Sequence, residues 1–132
     1  MMKKILLLFC LVFGLSFVPT AQAAMISEKQ EIEMGERAGK ALEAQYGLYQ
    51  DDEVASRIDR IGKALAAHST RQIPYTFKVL NTQDVNALAC PGGFIYVYKG
   101  LVDTMTSDDE LAAVLGHEIG HIEKRHTVHQ IE

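Results

Sequence analysis

The run His117-Glu118-Ile119-Gly120-His121 constrains this chain more than any other stretch, because its three chemical groups work together only when they are carried on a helix. Positions four apart on an α-helix differ by about 40° of rotation and about 6 Å of rise, so both imidazoles can face one metal ion. Glu118 then stands beside the pair, placed to take a proton from a water that the metal activates. Zinc lowers the pKa of a bound water to roughly 7 and polarises a carbonyl, which is the chemistry needed to hydrolyse a peptide bond at neutral pH. A catalytic zinc takes three protein ligands, and this motif supplies two.

The flanking residues predict the helix that the chemistry requires. Ser107 followed by Glu110 has the form of a capping box, and Asp108, Asp109 and Glu110 suit a helix N-terminus. Leu111, Val114, Leu115 and Ile119 recur at helical spacing, so the motif falls inside a helix of about 108–124. The competing reading makes His117 and His121 polar residues on a solvated face. It is the weaker one, because apolar residues on both sides predict a largely buried helix, where such groups without partners would be costly.

At the other end, Met1-Met2-Lys3-Lys4 precedes an apolar stretch from Ile5 to Val18 and then Pro19-Thr20-Ala21-Gln22-Ala23-Ala24. Two lysines, a short apolar core and an Ala-x-Ala site form a secretory signal peptide over residues 1–23, cut after Ala23. The alternative, an uncleaved anchor, would need about 20 apolar residues, more than this run provides. Cys10 lacks the small residues expected before a lipidated cysteine, so no lipoprotein anchor is read. Residues 24–132 are enough for one small domain. The whole sequence carries a formal charge of −4, and losing Lys3 and Lys4 makes the remainder more acidic still, which argues against nucleic acid as a partner. Cys90 is then the one thiol left: it has no internal disulfide partner, and it reads as a small apolar filler before a turn rather than as a nucleophile.

Between these ends the patterning predicts an α+β domain. A helix is expected over about 28–46, with Ile32, Gly35, Gly39 and Leu42 along one side. The two glycines each cost about 1 kcal/mol relative to Ala, which implies close packing against another element. Asp51 and Asp52 cap a second helix over about 52–68, striped by Val54, Ile58, Ile61 and Leu65. Tyr75 to Leu80 alternates as a strand, a short extended piece covers Ala87 to Ala89, and Pro91-Gly92-Gly93 turns the chain into a strand over Phe94 to Tyr98. Leu101 to Met105 reads as a short helix. The expected fold is thus N-terminal helices, a small antiparallel sheet with a Pro-Gly-Gly turn, and then the helix bearing the motif, a zincin-like order. A peptide substrate can add to an exposed sheet edge as an extra strand; which edge is open at this stage, and Tyr96 and Tyr98 read as packing residues or as substrate contacts.

Asn86-Ala87, Pro91-Gly92-Gly93-Phe94-Ile95-Tyr96-Val97, Gly100-Leu101 and Asp109 to Gly116 leading into the motif together resemble the HtpX and CAAX-prenyl-protease family of gluzincin metallopeptidases. The similarity extends upstream to Glu31–Gly35 and Tyr46-Gly47, and it is nearest to exported bacterial members, among them the periplasmic protease that tends outer-membrane barrel assembly. The resemblance implies a zinc endopeptidase with one Zn2+ per chain, His117 and His121 as ligands and Glu118 as general base and acid. It further implies a periplasmic location, unfolded or misassembled envelope proteins as substrates, and association with the outer-membrane assembly machinery.

The family's third ligand is a glutamate on a later helix. Only Ile122 to Glu132 follow His121, and no position there matches it. Residues 24–132 therefore read as the N-terminal part of a zinc metallopeptidase domain. On a continued helix His126 and His129 lie about 180° and 120° from His117, so either reaches the metal only if the chain reverses after Arg125. Lys124 and Thr127 occupy the places where the extended metzincin pattern needs Gly and His. Two other readings stay open beside the peptidase. One is a catalytically inactive peptidase-like domain that binds peptides or partner proteins through its sheet edge. The other is a metal-binding adaptor whose site another chain completes.

Overall fold

Each long helix begins at a residue whose side chain can hold a free backbone N–H. In the computed structural model, which describes residues 26–125, Ser27 and Gln30 form a reciprocal capping box at the start of α1 (Glu28–Tyr46). Asp51 accepts from the Val54 N–H at the start of α2 (Asp52–Ala66). The strands β1 (Thr76–Leu80), β2 (Ala87–Cys90) and β3 (Phe94–Tyr98) follow, then the short α3 (Lys99–Thr104) and α4 (Asp108–Glu123). Ser107 caps α4 by accepting from the Glu110 N–H. The reciprocal bond, however, is displaced by one residue from the expected box, because the Glu110 carboxylate takes the Thr106 N–H at 2.9 Å. The stretch His117 to His121 lies in the second half of α4. Among the described residues no helix is long and apolar enough to cross a membrane. The expected signal peptide and His126 and His129 fall outside the described residues.

The sheet corrects the antiparallel expectation. Its order is β1-β3-β2, with β2 antiparallel to β3 and β1 parallel to it. The Pro91-Gly92-Gly93 turn joins β2 and β3 as a hairpin, with φ of 84° and 100° at the two glycines, a region that side chains disfavour. β3 then takes the centre because it is the strand with apolar residues for both faces. Ile95 and Val97 join the core beneath α2 and α4, while Tyr96 and Tyr98 join the cluster that α1 covers. Both tyrosines are thus packing residues. On the first face α4 contributes Leu111, Leu115, Ile119 and Ile122, all buried, and α2 contributes Ile58 and Ile61.

On the second face the glycines of α1 make the close approach that the sequence implies. A Cβ on Gly35 would fall 1.6 Å from the Pro91 carbonyl oxygen, and one on Gly39 would fall 2.3 Å from the Tyr96 hydroxyl. The two contacts differ in what can yield. The Pro91 carbonyl is backbone in a tight turn, so Gly35→Ala must push α1 off the hairpin; the expected loss is about 3 kcal/mol or more, above the usual range for overpacking. Gly39→Ala meets the tip of a side chain and is expected to cost about half as much. Urea denaturation of both variants checks the order, and equal or negligible losses would show that α1 does not seat on the turn as described.

Candidate active site

α4 lies beneath β2, the edge strand, rather than under the middle of the sheet. This placement brings His117 and Glu118 to the flank of the sheet. The two imidazoles stand edge to face, with ring centroids 4.6 Å apart and their Nε2 atoms 3.0 Å apart. A tetrahedral zinc with bonds of about 2.0–2.1 Å holds two nitrogens about 3.4 Å apart, so a few tenths of an ångström of ring movement would let the pair chelate one ion. Gly116 and Gly120 border the same face and, with Lys124, line a hollow of about 210 Å³ beside the rings. Among the described residues no third His, Cys, Asp or Glu joins the pair in a ligand group.

Glu118 is 8 % exposed. Burial lifts its carboxyl above the usual carboxylate range, against the opposing influence of His121 and His117. A carboxylate so held gives up less when it takes a proton, which suits a group that accepts one and then returns it. Its accessible side opens into a cleft of about 430 Å³ between α4 and the segment Val85–Ala87, with Leu101 of α3 on the far wall.

The same cleft runs beside the free edge of the sheet. Tyr98 N–H donates to the Asn86 carbonyl at 3.0 Å. With Ala87 opposite Val97 and Leu88 opposite Tyr96, that bond fixes the alternation of the ladder, so Ala87 and Ala89 turn their N–H and C=O groups away from β3. The outward Ala87 N–H is taken by the side chain of Asn86, at 2.8 Å. The other edge is less open, because Tyr49 N–H bonds to the Val79 carbonyl and Asn81 N–H to that of Gly47, which covers the end of β1. β2 is therefore the more open of the two edges.

A buried charge cluster that was not read from the sequence anchors the end of α4. Glu31, fully buried in α1, accepts two hydrogen bonds from Arg71, at 2.8 and 2.7 Å, and lies 3.1 Å from an Arg125 nitrogen. Arg71 also donates to the Ile122 carbonyl, one residue past His121, and Arg125 donates to the Ile26 carbonyl from a left-handed backbone with φ of 55°. The available signal was spacing. Glu31, Gly35 and Gly39 lie four apart and are the buried positions of α1, so the acid shares the face that the glycines press into the core. Cys90 is buried, and burial pushes its thiol up to about 11, which suits a packing role and not a nucleophile.

The sequence profile of peptidase family M48 matches residues 48–132. The chain is 37 % identical over 106 residues to metalloprotease LoiP of Escherichia coli K12, an alignment covering 80 % of this chain and 41 % of LoiP. It is 38 % identical over 87 residues to metalloprotease YcaL of the same organism, covering 61 % of this chain and 34 % of YcaL. It is 30 % identical over 116 residues to the beta-barrel assembly-enhancing protease of Yersinia pestis, covering 87 % of this chain and 24 % of that protein. The chain thus spans well under half the length of each of these relatives.

Proposed function

The chain belongs to peptidase family M48, and on that premise we propose that it is a zinc-dependent endopeptidase in which His117 and His121 hold the metal and Glu118 moves the protons. The observation that carries this reading is the convergence of the two Nε2 atoms to 3.0 Å beside a buried glutamate that opens into a cleft along a free sheet edge. Zinc, when bound, supplies Lewis-acid polarisation of the substrate carbonyl and of the attacking water. The peptide adds along β2, where the outward groups of Ala87 and Ala89 hold its backbone and the Asn86 side chain gives up the Ala87 N–H to it. Glu118 takes the proton of the attacking water and delivers it to the departing amine, so that one carboxylate serves as base and then as acid. Among the described residues no third ligand is identified beside the pair.

A strand-adding edge takes extended chain and excludes folded domains, so the substrates proposed are unfolded or misassembled proteins. The signal-peptide pattern over residues 1–23 supports action in the periplasm, and the name of the Yersinia relative, beta-barrel assembly-enhancing protease, supports a link to outer-membrane barrel assembly. The test is digestion of a casein-type unfolded protein by the full chain. Cleavage is expected, lost on chelation and restored by zinc. Cleavage that survives complete removal of metal would end the metallopeptidase reading. Peptide binding without any cleavage would favour the inactive, peptide-binding domain.

A further inference from the structure

We propose that Arg71 is a positioning residue for the metal motif: from the loop after α2 it grips the last turn of α4 and so holds His121 in register with His117. This rests on the peptidase reading for what the two histidines hold, but the grip itself needs no metal. α4 ends at Glu123, which puts His121 in its last turn, whereas His117 stands a full turn further in. That last turn is weak on its own account. It contains Gly120, a poor helix former whose face is open, since a Cβ there would meet nothing within 4 Å. The final carbonyls of any helix also lack partners within it, so an end of this kind frays unless something outside holds it.

Two contacts from the loop supply that hold. Arg71 Nη1 donates to the Ile122 carbonyl at 3.0 Å, and the Thr70 N–H donates to the Glu123 carboxylate at 3.0 Å. A guanidinium at this place also meets the negative end of the helix dipole. On its other side Arg71 is pinned by Glu31: Nη1 and Nη2 take the two carboxylate oxygens of a side chain that is 1 % exposed. The planar fork makes this double duty possible, because two nitrogens meet the two oxygens while the second hydrogen of Nη1 remains for the carbonyl. The loop itself is tied down. Arg71 N–H donates to Ser69 Oγ at 3.1 Å, and the Tyr75 hydroxyl shares a hydrogen bond of 2.9 Å with Ser69 Oγ and donates to the Arg71 carbonyl at 3.1 Å. Gln72 Nε2 donates to the Ser69 carbonyl at 2.7 Å. Through one arginine, α1 is thereby joined to the turn that carries the second histidine. Opening that turn would leave His117 and Glu118 in place and carry His121 away from them.

Amide hydrogen exchange of the full chain without metal reads the grip, and zinc affinity reads its consequence. Arg71→Lys keeps a positive charge for Glu31 but offers one nitrogen in place of the fork. Glu123→Ala removes the Thr70 contact at a partly exposed position and leaves the Glu31 pair untouched, so the test survives if Arg71→Lys does not fold. In both variants the amides of residues 121–125 are expected to exchange at least about tenfold faster, while those of residues 111–117 keep the rates of the parent. Zinc affinity is expected to fall about tenfold in Arg71→Lys and by less in Glu123→Ala. Last-turn exchange unchanged in both would overturn the grip, and so would a uniform rise along the whole chain, which is a loss of general stability. Fast last-turn exchange with the zinc affinity of the parent would overturn it as well, because the turn would then not position His121. A parent that binds no zinc sinks the peptidase reading alone, and the exchange pattern still decides whether Arg71 holds the turn.

Discussion

Glu118→Gln is expected to bind zinc as the parent protein does and to hydrolyse peptides at least about 10³-fold more slowly. The amide keeps the shape of the side chain and sits in the same buried place beside the histidines, but it cannot accept a proton from water. Since Glu118 is not assigned as a ligand, the metal should stay. His117→Ala differs in kind, because removing one of two converging nitrogens should take away both metal and activity. The pair of outcomes matters more than either loss alone. A kcat/KM for Glu118→Gln within a few fold of the parent would remove the mechanism, whatever the zinc content of the sample.

Glu31→Ala should be among the most damaging substitutions outside the site. It takes the buried carboxylate from between two partly exposed guanidiniums, leaving Arg71 with the more distant Glu28 as its acidic partner; deleting one partner of a fully buried pair costs about 3–5 kcal/mol, and solvent reaching Arg125 should hold this loss to about 2–3 kcal/mol. Because Arg71 also holds the Ile122 carbonyl, the loss should reach the last turn of α4 and weaken the hold of His121 on zinc. The same cluster makes stability depend on pH in a definite direction. Burial acts to raise the Glu31 carboxyl, but the hydrogen bonds and charge of Arg71, with the charge of Arg125, outweigh it and hold the group below the usual carboxylate range. The unfolded chain therefore takes up this proton first as the solution is acidified. The contribution is complete above the ordinary glutamate range near about 4.3 and is lost as pH falls through the lower folded value. Denaturation midpoints followed downward from pH 7 should fall more steeply for the parent than for Glu31→Gln, whose stability is lower throughout but lacks this component. Parallel curves would show that Glu31 carries no charge-linked stability.

The helices were legible because their signals are local. Ser107, Asp51 and the stripe Val54, Ile58, Ile61 and Leu65 each act within one or two turns, and the observed ends of α2 and α4 fall within two residues of those expected. His117, Glu118 and His121 were legible for the same reason, since a spacing of four on a helix dictates that the rings meet. Strand order was not. Pairing in a sheet is a contest between segments distant in sequence, and nothing in Thr76 to Leu80 by itself says that it will run parallel to β3 with β2 on the far side. The Glu31 cluster was hidden for a stronger version of that reason: its partner Arg71 is 40 residues away, and Arg125 lies at the far end of the described chain. The open edge became apparent only with the ladder, because which of Ala87 and Leu88 faces outward depends on one hydrogen bond, from Tyr98 to Asn86.

Zinc content after exhaustive dialysis of the full chain, measured side by side for the parent, His117→Ala and Glu118→Gln, is the most direct measurement of whether this helix is a metal site. One zinc per chain is expected in the parent and in Glu118→Gln, and none in His117→Ala. Equal zinc in all three, or none in the parent even with zinc present at saturating concentration, would contradict the assignment of His117 and His121 as the ligands on which the proposed chemistry depends.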